Sequence, residues 1–209
     1  MLAFTLVIAQ AILGGMTVLF RLPPQVSIAH AFMAQMFFCT AVVLAFVNTA
    51  RWQSVWPYEN DSRGLQWAAL TLTSLFLVQL IFGATLRHYG AALAIPDFPW
   101  SFGRVIPDHW SFGIAVNFLH RTQGFVIAIF ATFVAFRSTH LYTRDLFLVA
   151  NAGLIIALVS VQILLGAMAI WGHKPVWITT AHLVNGALCL ATSLLLTLQL
   201  MRMRFWAPK

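Results

Sequence analysis

The chain has 209 residues, of which 61% are hydrophobic and only 8% are charged, and its mean hydropathy is +0.86. Soluble domains carry about a quarter charged residues, so this composition excludes an ordinary water-soluble globular protein. The net charge of +7 is spread over the segments between the apolar stretches, which argues against a basic nucleic-acid-binding patch.

Six stretches of the chain are long and apolar enough to cross a bilayer, which takes about 20 residues in a helix. Because lipid offers no partner for exposed backbone polar groups, each stretch is expected to be helical. We therefore predict an all-α, polytopic membrane bundle of six transmembrane helices. The expected spans are residues 1–20, 30–49, 66–86, 116–136, 146–170 and 178–201.

The segments between the spans indicate how the chain lies in the membrane. The connections after the second and fourth spans, with the C-terminal tail, hold seven Lys and Arg, against four in the other three connections. By the positive-inside tendency, both termini are expected in the cytoplasm, in a bacterial inner membrane or its equivalent. The eight Trp lie in the connections or near the ends of the spans, as interfacial Trp do. Cys39 and Cys189 fall inside spans, so no disulfide is expected.

The first and fifth spans open two copies of an internal repeat. Residues 10–30 (QAILGGMTVLFRLPPQVSIAH) and 162–182 (QILLGAMAIWGHKPVWITTAH) agree at seven of 21 positions without a gap. The third span holds a shorter copy, QLIFGA at residues 79–84, and the next span opens with NFLHRTQG. This self-similarity predicts three helical hairpins of one design. The Gln side chains are expected to bond across the bundle, and the Gly four residues later to ease helix packing.

Each hairpin carries a histidine near the start of its second helix, followed four residues later by a small residue. The histidines are His30, His120 and His182, and the small residues are Ala34, Gly124 and Gly186. The small residue is expected to leave an empty, flat patch beside the imidazole, where a planar ring system could lie. A lone membrane histidine is often a packing or hydrogen-bonding residue, but three at one depth favour ligand binding.

The available donors indicate which ligand this is. Zinc takes three or four N, S or O donors, and no Cys, Asp or Glu lies at this depth in the spans. Two imidazoles on opposite faces of a macrocycle are typical of haem iron. Arg121, Arg87 and His88 could pair with haem propionates; the alternative is that they only reach the membrane interface.

Four segments resemble the heme A synthase family of cytochrome oxidase assembly proteins: QAILGGMTVLFRLPP, GATLRHYGAALAIPDFP, FLHR and KPVWITTAH. The resemblance runs through nearly the whole chain. It implies a membrane protein of eight helices in two pseudo-symmetric four-helix bundles, each with a pair of histidines at a haem. It also implies oxidation of the C8 methyl of heme O to the formyl of heme A, through an alcohol intermediate.

The resemblance also assigns residues. It implies that the axial ligands of a haem b are His120 and His182. From their positions in the sequence, we expect Arg121, Gly124, Gly186, Arg87 and His88 around the same haem. His30 is then a ligand of the substrate haem, beside Met33 and Phe37. The chain divides into a partial N-terminal bundle (residues 1–50) and a four-helix haem b bundle (residues 66–204). Heme O is the implied substrate, the electron donor is unidentified, and no residue is assigned as catalytic.

The chain departs from the family pattern because it has six expected spans rather than eight. The family's first hairpin, with a further histidine and a catalytic outer-loop glutamate, has no counterpart, and Glu59 is predicted on the inner side. We expect that the natural start lies upstream, that a second chain or a homo-oligomer supplies the hairpin, or that this is a reduced haem protein. We expect the 209 residues alone to be inactive. Activity would mean that a carboxylate such as Asp97 replaces the missing glutamate, or that no carboxylate is needed. We also expect an open groove beside His30, lined by Phe32, Met33, Met36, Phe37 and Phe38.

Two other functions stay open. A b-type electron-transfer cytochrome, or a reduced haem-binding assembly factor, would use His120 and His182 and would not need His30. A repeat-built transporter is disfavoured, because such proteins break helices at mid-membrane with Gly or Pro and every Pro here lies in a connection or the tail. The lipid bilayer is an expected partner and nucleic acid is not.

Overall fold

The computed structural model describes residues 1–53 and 62–205, with side chains as far as Arg202. Within these residues there are seven α-helices and a 3₁₀ turn at Ala91–Leu93. All helices except α3 are long and apolar enough to span a membrane, which confirms the predicted all-α bundle of six spans, so the chain is an integral membrane protein. The helices are α1 (Leu2–Leu19), α2 (Pro24–Val47), α3 (Ala50–Gln53), α4 (Arg63–His88), α5 (Phe112–Leu141), α6 (Leu146–Trp171) and α7 (Val176–Phe205).

The helices begin where the sequence offers suitable first residues. Proline at Pro24 starts α2, because its missing N–H would have no partner in the first turn anyway. Ser62, Ser111 and Asp145 cap α4, α5 and α6 by accepting a backbone N–H three residues further on. Since α2 and α5 begin several residues before the expected spans, the three histidines lie six to eight residues inside their helices.

The sequence repeat is also a structural repeat, down to its turns. The pairs Arg21–Leu22 and His173–Lys174, which are equivalent in the repeat, both have left-handed backbone with positive φ. The second residue of each pair donates its N–H back to a helix carbonyl, that of Thr17 at 2.7 Å in the first turn and of Ala169 at 2.8 Å in the last. Non-glycine residues adopt this backbone only at a cost, so the shared turn sets the same geometry twice.

Four helices form a ring, and the first hairpin packs on its side. α4 and α6 each pack against both α5 and α7, so α5 and α7 stand at opposite corners. α2 packs against α4 and α7, and α1 packs against α2. Leu72, Ile155 and Leu190 are fully buried, and the hydroxyl groups of Thr73 and Thr197 bond at 2.9 Å between α4 and α7.

The two ends of the bundle are closed by different contacts. We call the end at which α1 begins and α7 ends the terminal end, and the opposite one the histidine end. At the terminal end, the guanidinium of Arg51 donates to both carboxylate oxygens of Asp145 at 2.5 and 2.6 Å. Arg202 donates to the carbonyl of Arg51, so α3, α6 and α7 are joined there.

The remaining predictions concern the Trp residues, the two Cys residues and Glu59. The six described Trp lie in connections or near helix ends, as predicted. Cys39 is half-buried and Cys189 is buried, and both are free thiols. Glu59, whose side of the membrane was predicted, lies outside the described residues, as do Trp56 and Trp206.

Candidate functional site

Each hairpin places its histidine ring directly against a glycine of the facing helix. A Cβ atom built on Gly166 would lie 3.2 Å from Cε1 of His182, and one on Gly14 would lie 3.1 Å from Cε1 of His30. The equivalent distance from Gly83 to His120 is 3.5 Å. These glycines therefore seat the imidazoles. Sequence reasoning had assigned them only to helix packing, although their recurrence four residues after Gln in all three copies was a signal.

The glutamine of each repeat reaches the histidine of the same hairpin. Nε2 of Gln162 lies 3.3 Å from Nε2 of His182, and Nε2 of Gln10 lies 3.4 Å from Nε2 of His30. In the middle hairpin Gln79 instead donates to the backbone carbonyl of His120 at 2.8 Å. The predicted cross-hairpin bonds of the glutamines are thus present.

The space beside Gly124 and Gly186 is filled, so the prediction of an empty, flat patch there was wrong. A Cβ atom on Gly186 would lie 3.1 Å from Nε2 of Gln162, and one on Gly124 would lie 3.4 Å from Nε2 of Gln79. The reason is the antiparallel packing of the two helices in a hairpin. With Gly166 facing His182, the residue four positions before the glycine faces the residue four positions after the histidine. The two glycines make room for glutamine amides.

The histidine nitrogens have few partners. Nδ1 of His30, His120 and His182 is buried and bonds to no group among the described residues. The ring of His120 makes no described hydrogen bond at its other nitrogen either. Buried polar atoms without partners are uncommon and call for an explanation. His120 and His182 extend from α5 and α7, which stand at opposite corners of the ring.

Arg121 fastens the long connection between α4 and α5 over the histidine end. Its guanidinium donates to the carbonyls of Ile95 at 2.7 Å, Asp97 at 2.5 Å and Trp100 at 3.1 Å. Its carbon Cζ lies 5.8 Å from the ring centre of Phe98. Nε of Arg121 is buried without a described partner, so this one donor remains available to a ligand.

The same connection contains a loop that is held by hydrogen bonds to the carboxylate of Asp97. Asp97 accepts hydrogen bonds from the backbone N–H groups of Phe102 at 2.8 Å and Gly103 at 2.7 Å. Partial desolvation would raise the pKa of Asp97, but these two N–H groups, with the nearby Arg121 cation, hold that pKa below its usual value. Asp97 is therefore an ionised loop-shaping group in this arrangement.

The other predicted residues lie around this centre without a described contact to it. Arg87 is exposed and His88 is half-buried at the end of α4, and no described hydrogen bond joins either to His120 or His182. Met33 and Phe37 lie on α2, one and two turns after His30, and both are half-buried. Their neighbours Phe32, Met36 and Phe38 are half-buried too. The open groove beside His30 stays a prediction.

Comparison with known proteins decides the family. A model of the family described as cytochrome oxidase assembly protein matches residues 1–194. The chain belongs to this family. The match ends within α7 and covers all three histidines, so the resemblance seen in the sequence is confirmed at the family level.

Curated relatives of this cytochrome oxidase assembly protein carry the name heme A synthase. That of Listeria welshimeri is 23% identical over 87% of this chain and 59% of its own length. That of Paracoccus denitrificans is 31% identical over 59% of this chain and 35% of its own, and that of a Wolbachia from Brugia malayi is 27% identical over 52% and 33%. The chain thus spans about three-fifths of the first relative and about a third of the other two.

Proposed function

We propose that this chain binds haem b between His120 and His182 in the ring of α4, α5, α6 and α7. We propose further that it acts as a heme A synthase-like oxidoreductase on heme O, oxidising its C8 methyl to a formyl through an alcohol. The observation that carries the haem proposal is the pair of imidazoles on α5 and α7, at opposite corners of one helix ring, each packed against a glycine of the neighbouring helix. The substrate is proposed from the name that the curated relatives share.

The residues present fit a bis-histidine haem. Bundle cofactors are ligated by side chains on facing helices; the ring of His120 makes no described hydrogen bond, and that of His182 makes one, to the side-chain amide of Gln162. When bound, the haem would supply one-electron chemistry. The chain's own part is to hold the two imidazoles, to exclude water with apolar helices, and to offer the free N–H of Arg121 to an anionic group such as a propionate.

The first hairpin is proposed to hold the substrate. His30 has the same seat, Gly14, and the same glutamine contact, Gln10, as the ligands of the ring. Met33 and Phe37 would then contact the ring edge and isoprenoid tail of heme O. This divides the chain into residues 1–50 for the substrate and residues 66–204 for haem b. Cytoplasmic termini, a bacterial inner membrane and an unidentified electron donor belong to the same proposal.

Haem extraction and turnover test this function. The chain is purified from cells that make heme O, and its haem is identified by a pyridine haemochrome spectrum and by chromatography. Haem b together with heme O, the alcohol or heme A supports the synthase. Haem b alone, with no heme O or derivative of it bound, would favour the b-type cytochrome instead. No haem at all would refute both.

A further inference from the structure

Asn185 lies one turn after His182 and connects its neighbours in an unbroken line of hydrogen bonds. Its Nδ2 donates to the backbone carbonyl of Leu158 at 2.9 Å and to Oε1 of Gln162 at 2.8 Å. Nε2 of Gln162 in turn lies 3.3 Å from Nε2 of His182. Asn185 is only 8% exposed, so water does not compete for these bonds. We call this line the Asn185 relay.

The chemistry of the groups fixes every orientation in the relay. A backbone carbonyl can only accept, so the Asn185 side chain must turn its NH₂ toward Leu158. Its other contact, Gln162, must therefore present an oxygen to Asn185. The NH₂ of Gln162 then faces Nε2 of His182, which has to accept.

A neutral imidazole that accepts at Nε2 carries its proton on Nδ1. Nδ1 of His182 has no partner among the described residues, so no other hydrogen bond there opposes this tautomer. The relay thus leaves the Nε2 lone pair unprotonated. A histidine that ligates through Nε2 needs this form.

The equivalent positions of the other two hairpins lack the relay. Met33 stands where Asn185 would be in the first hairpin, and Oε1 of Gln10 is buried without a described partner. Gln123 stands there in the second hairpin and donates to the equivalent carbonyl, that of Leu75, at 2.9 Å. It makes no described bond to Gln79, whose Oε1 also has no described partner.

We propose that Asn185 and Gln162 are positioning residues that hold His182 in the Nδ1-protonated tautomer and so prepare its Nε2 for a haem iron. This proposal rests on the proposed haem b function. Hydrogen-bond partners of metal-binding histidines fix the tautomer of the ring, and here the partner contacts the nitrogen that would ligate. Binding then requires Gln162 to move aside but requires no proton to leave Nε2.

The test is made on the full 209-residue chain in detergent, without haem, with ¹⁵N-labelled histidine. The ¹⁵N shifts of a neutral imidazole distinguish its protonated from its unprotonated nitrogen, and His182→Ala identifies the signals. Wild-type His182 should show a single form with the proton on Nδ1. In Asn185→Leu, and equally in Gln162→Met, both tautomers should be populated.

Asn151→Leu is the matched control. Asn151 is as buried as Asn185 and also bonds between α6 and α7, to the carbonyl of Thr192 at 3.3 Å, but it lies outside the relay. It should leave the His182 tautomer unchanged. Only the Nδ1-protonated fraction can bind through Nε2, so at equal tautomer populations a haem titration of Asn185→Leu should show a Kd about twofold higher, whereas Asn151→Leu should not change it.

The possible failures are distinguishable. A proton on Nε2 of wild-type His182, or equal tautomer populations in wild type, Asn185→Leu and Gln162→Met, would overturn the relay even if haem binds. The expected tautomers in a chain that never acquires a six-coordinate haem would leave the relay's geometry correct but refute its role and the proposed function. If Asn185→Leu does not fold, the wild-type and Gln162→Met spectra decide alone.

Discussion

Replacing Gly166 by alanine tests whether the glycines seat the ligands. The added methyl carbon would lie 3.2 Å from Cε1 of His182, so the imidazole has to move by a few tenths of an ångström. At Gly83 the same methyl would lie 3.5 Å from Cε1 of His120, which is an ordinary contact. The two glycines face the two proposed ligands of one haem, so the structure predicts unequal effects on one measured affinity.

The expected size follows from ligand positioning. A displaced second-sphere support costs about tenfold in metal affinity, or about 1.4 kcal/mol. Gly166→Ala should therefore raise the Kd for haemin about tenfold, and Gly83→Ala should change it by about twofold or less. Helix propensity acts in the other direction, since alanine stabilises a helix by about 0.5–1 kcal/mol over glycine, so a loss of affinity cannot come from a weaker helix.

The assay is a haemin titration of the detergent-solubilised chain, followed by the Soret band. Gly153→Ala is the control, because it lies on α6 with Gly166 and its added methyl meets nothing within 4 Å. It should match wild type in affinity. Equal affinities for Gly166→Ala and Gly153→Ala, or a larger loss for Gly83→Ala than for Gly166→Ala, would refute the seating argument.

Three further predictions concern the ends of the bundle. Arg121→Lys keeps the charge, but a lysine cannot donate to three carbonyls at once. The loss of about 1.5 kcal/mol of charged hydrogen bonding should loosen the connection and speed tryptic cleavage after Arg104 about tenfold, and the control Arg137→Lys should not. The lowered pKa of Asp97 means that its bonds to Phe102 and Gly103 stabilise the loop above the usual pKa of 3.8 and are lost as pH falls through the lower folded value. The amide protection factors of Phe102 and Gly103, relative to intrinsic exchange at each pH, should fall in that acid range, and Asp97→Asn should remove this pH dependence. Asp145→Asn breaks the ion pair with Arg51, in which the Asp145 side chain is only 4% exposed, so the free energy of unfolding should fall by about 3 kcal/mol. Thermal melting should show this loss, and the control Arg144→Met should melt like wild type.

The sequence predicts the hairpins well because their signal is periodic and local. Six apolar spans and a repeat that ends twice on histidine require no knowledge of packing, and α1, α4, α6 and α7 follow the predicted spans closely. The start of α2 was misplaced because Pro24, a loop residue by most criteria, is also a good first residue of a helix.

The site was harder to predict because its contacts depend on register between facing helices. The glutamine amide beside Gly186 follows only when Gly166 is known to face His182. The Asn185 relay has no repeat signal at all, because the three equivalent positions hold Met33, Gln123 and Asn185, which differ in chemistry. The proposed substrate rests on the name of the curated relatives, because neither composition nor spacing indicates it.

The absorption and electron paramagnetic resonance spectra of the haem-loaded chain test the central claim most directly. The account predicts a low-spin, six-coordinate haem that is lost in His120→Ala and in His182→Ala. It should persist in His30→Ala and in His140→Ala, whose histidine is exposed on α5. A low-spin spectrum that survives both His120→Ala and His182→Ala would contradict the account, as would one that depends on His30 alone.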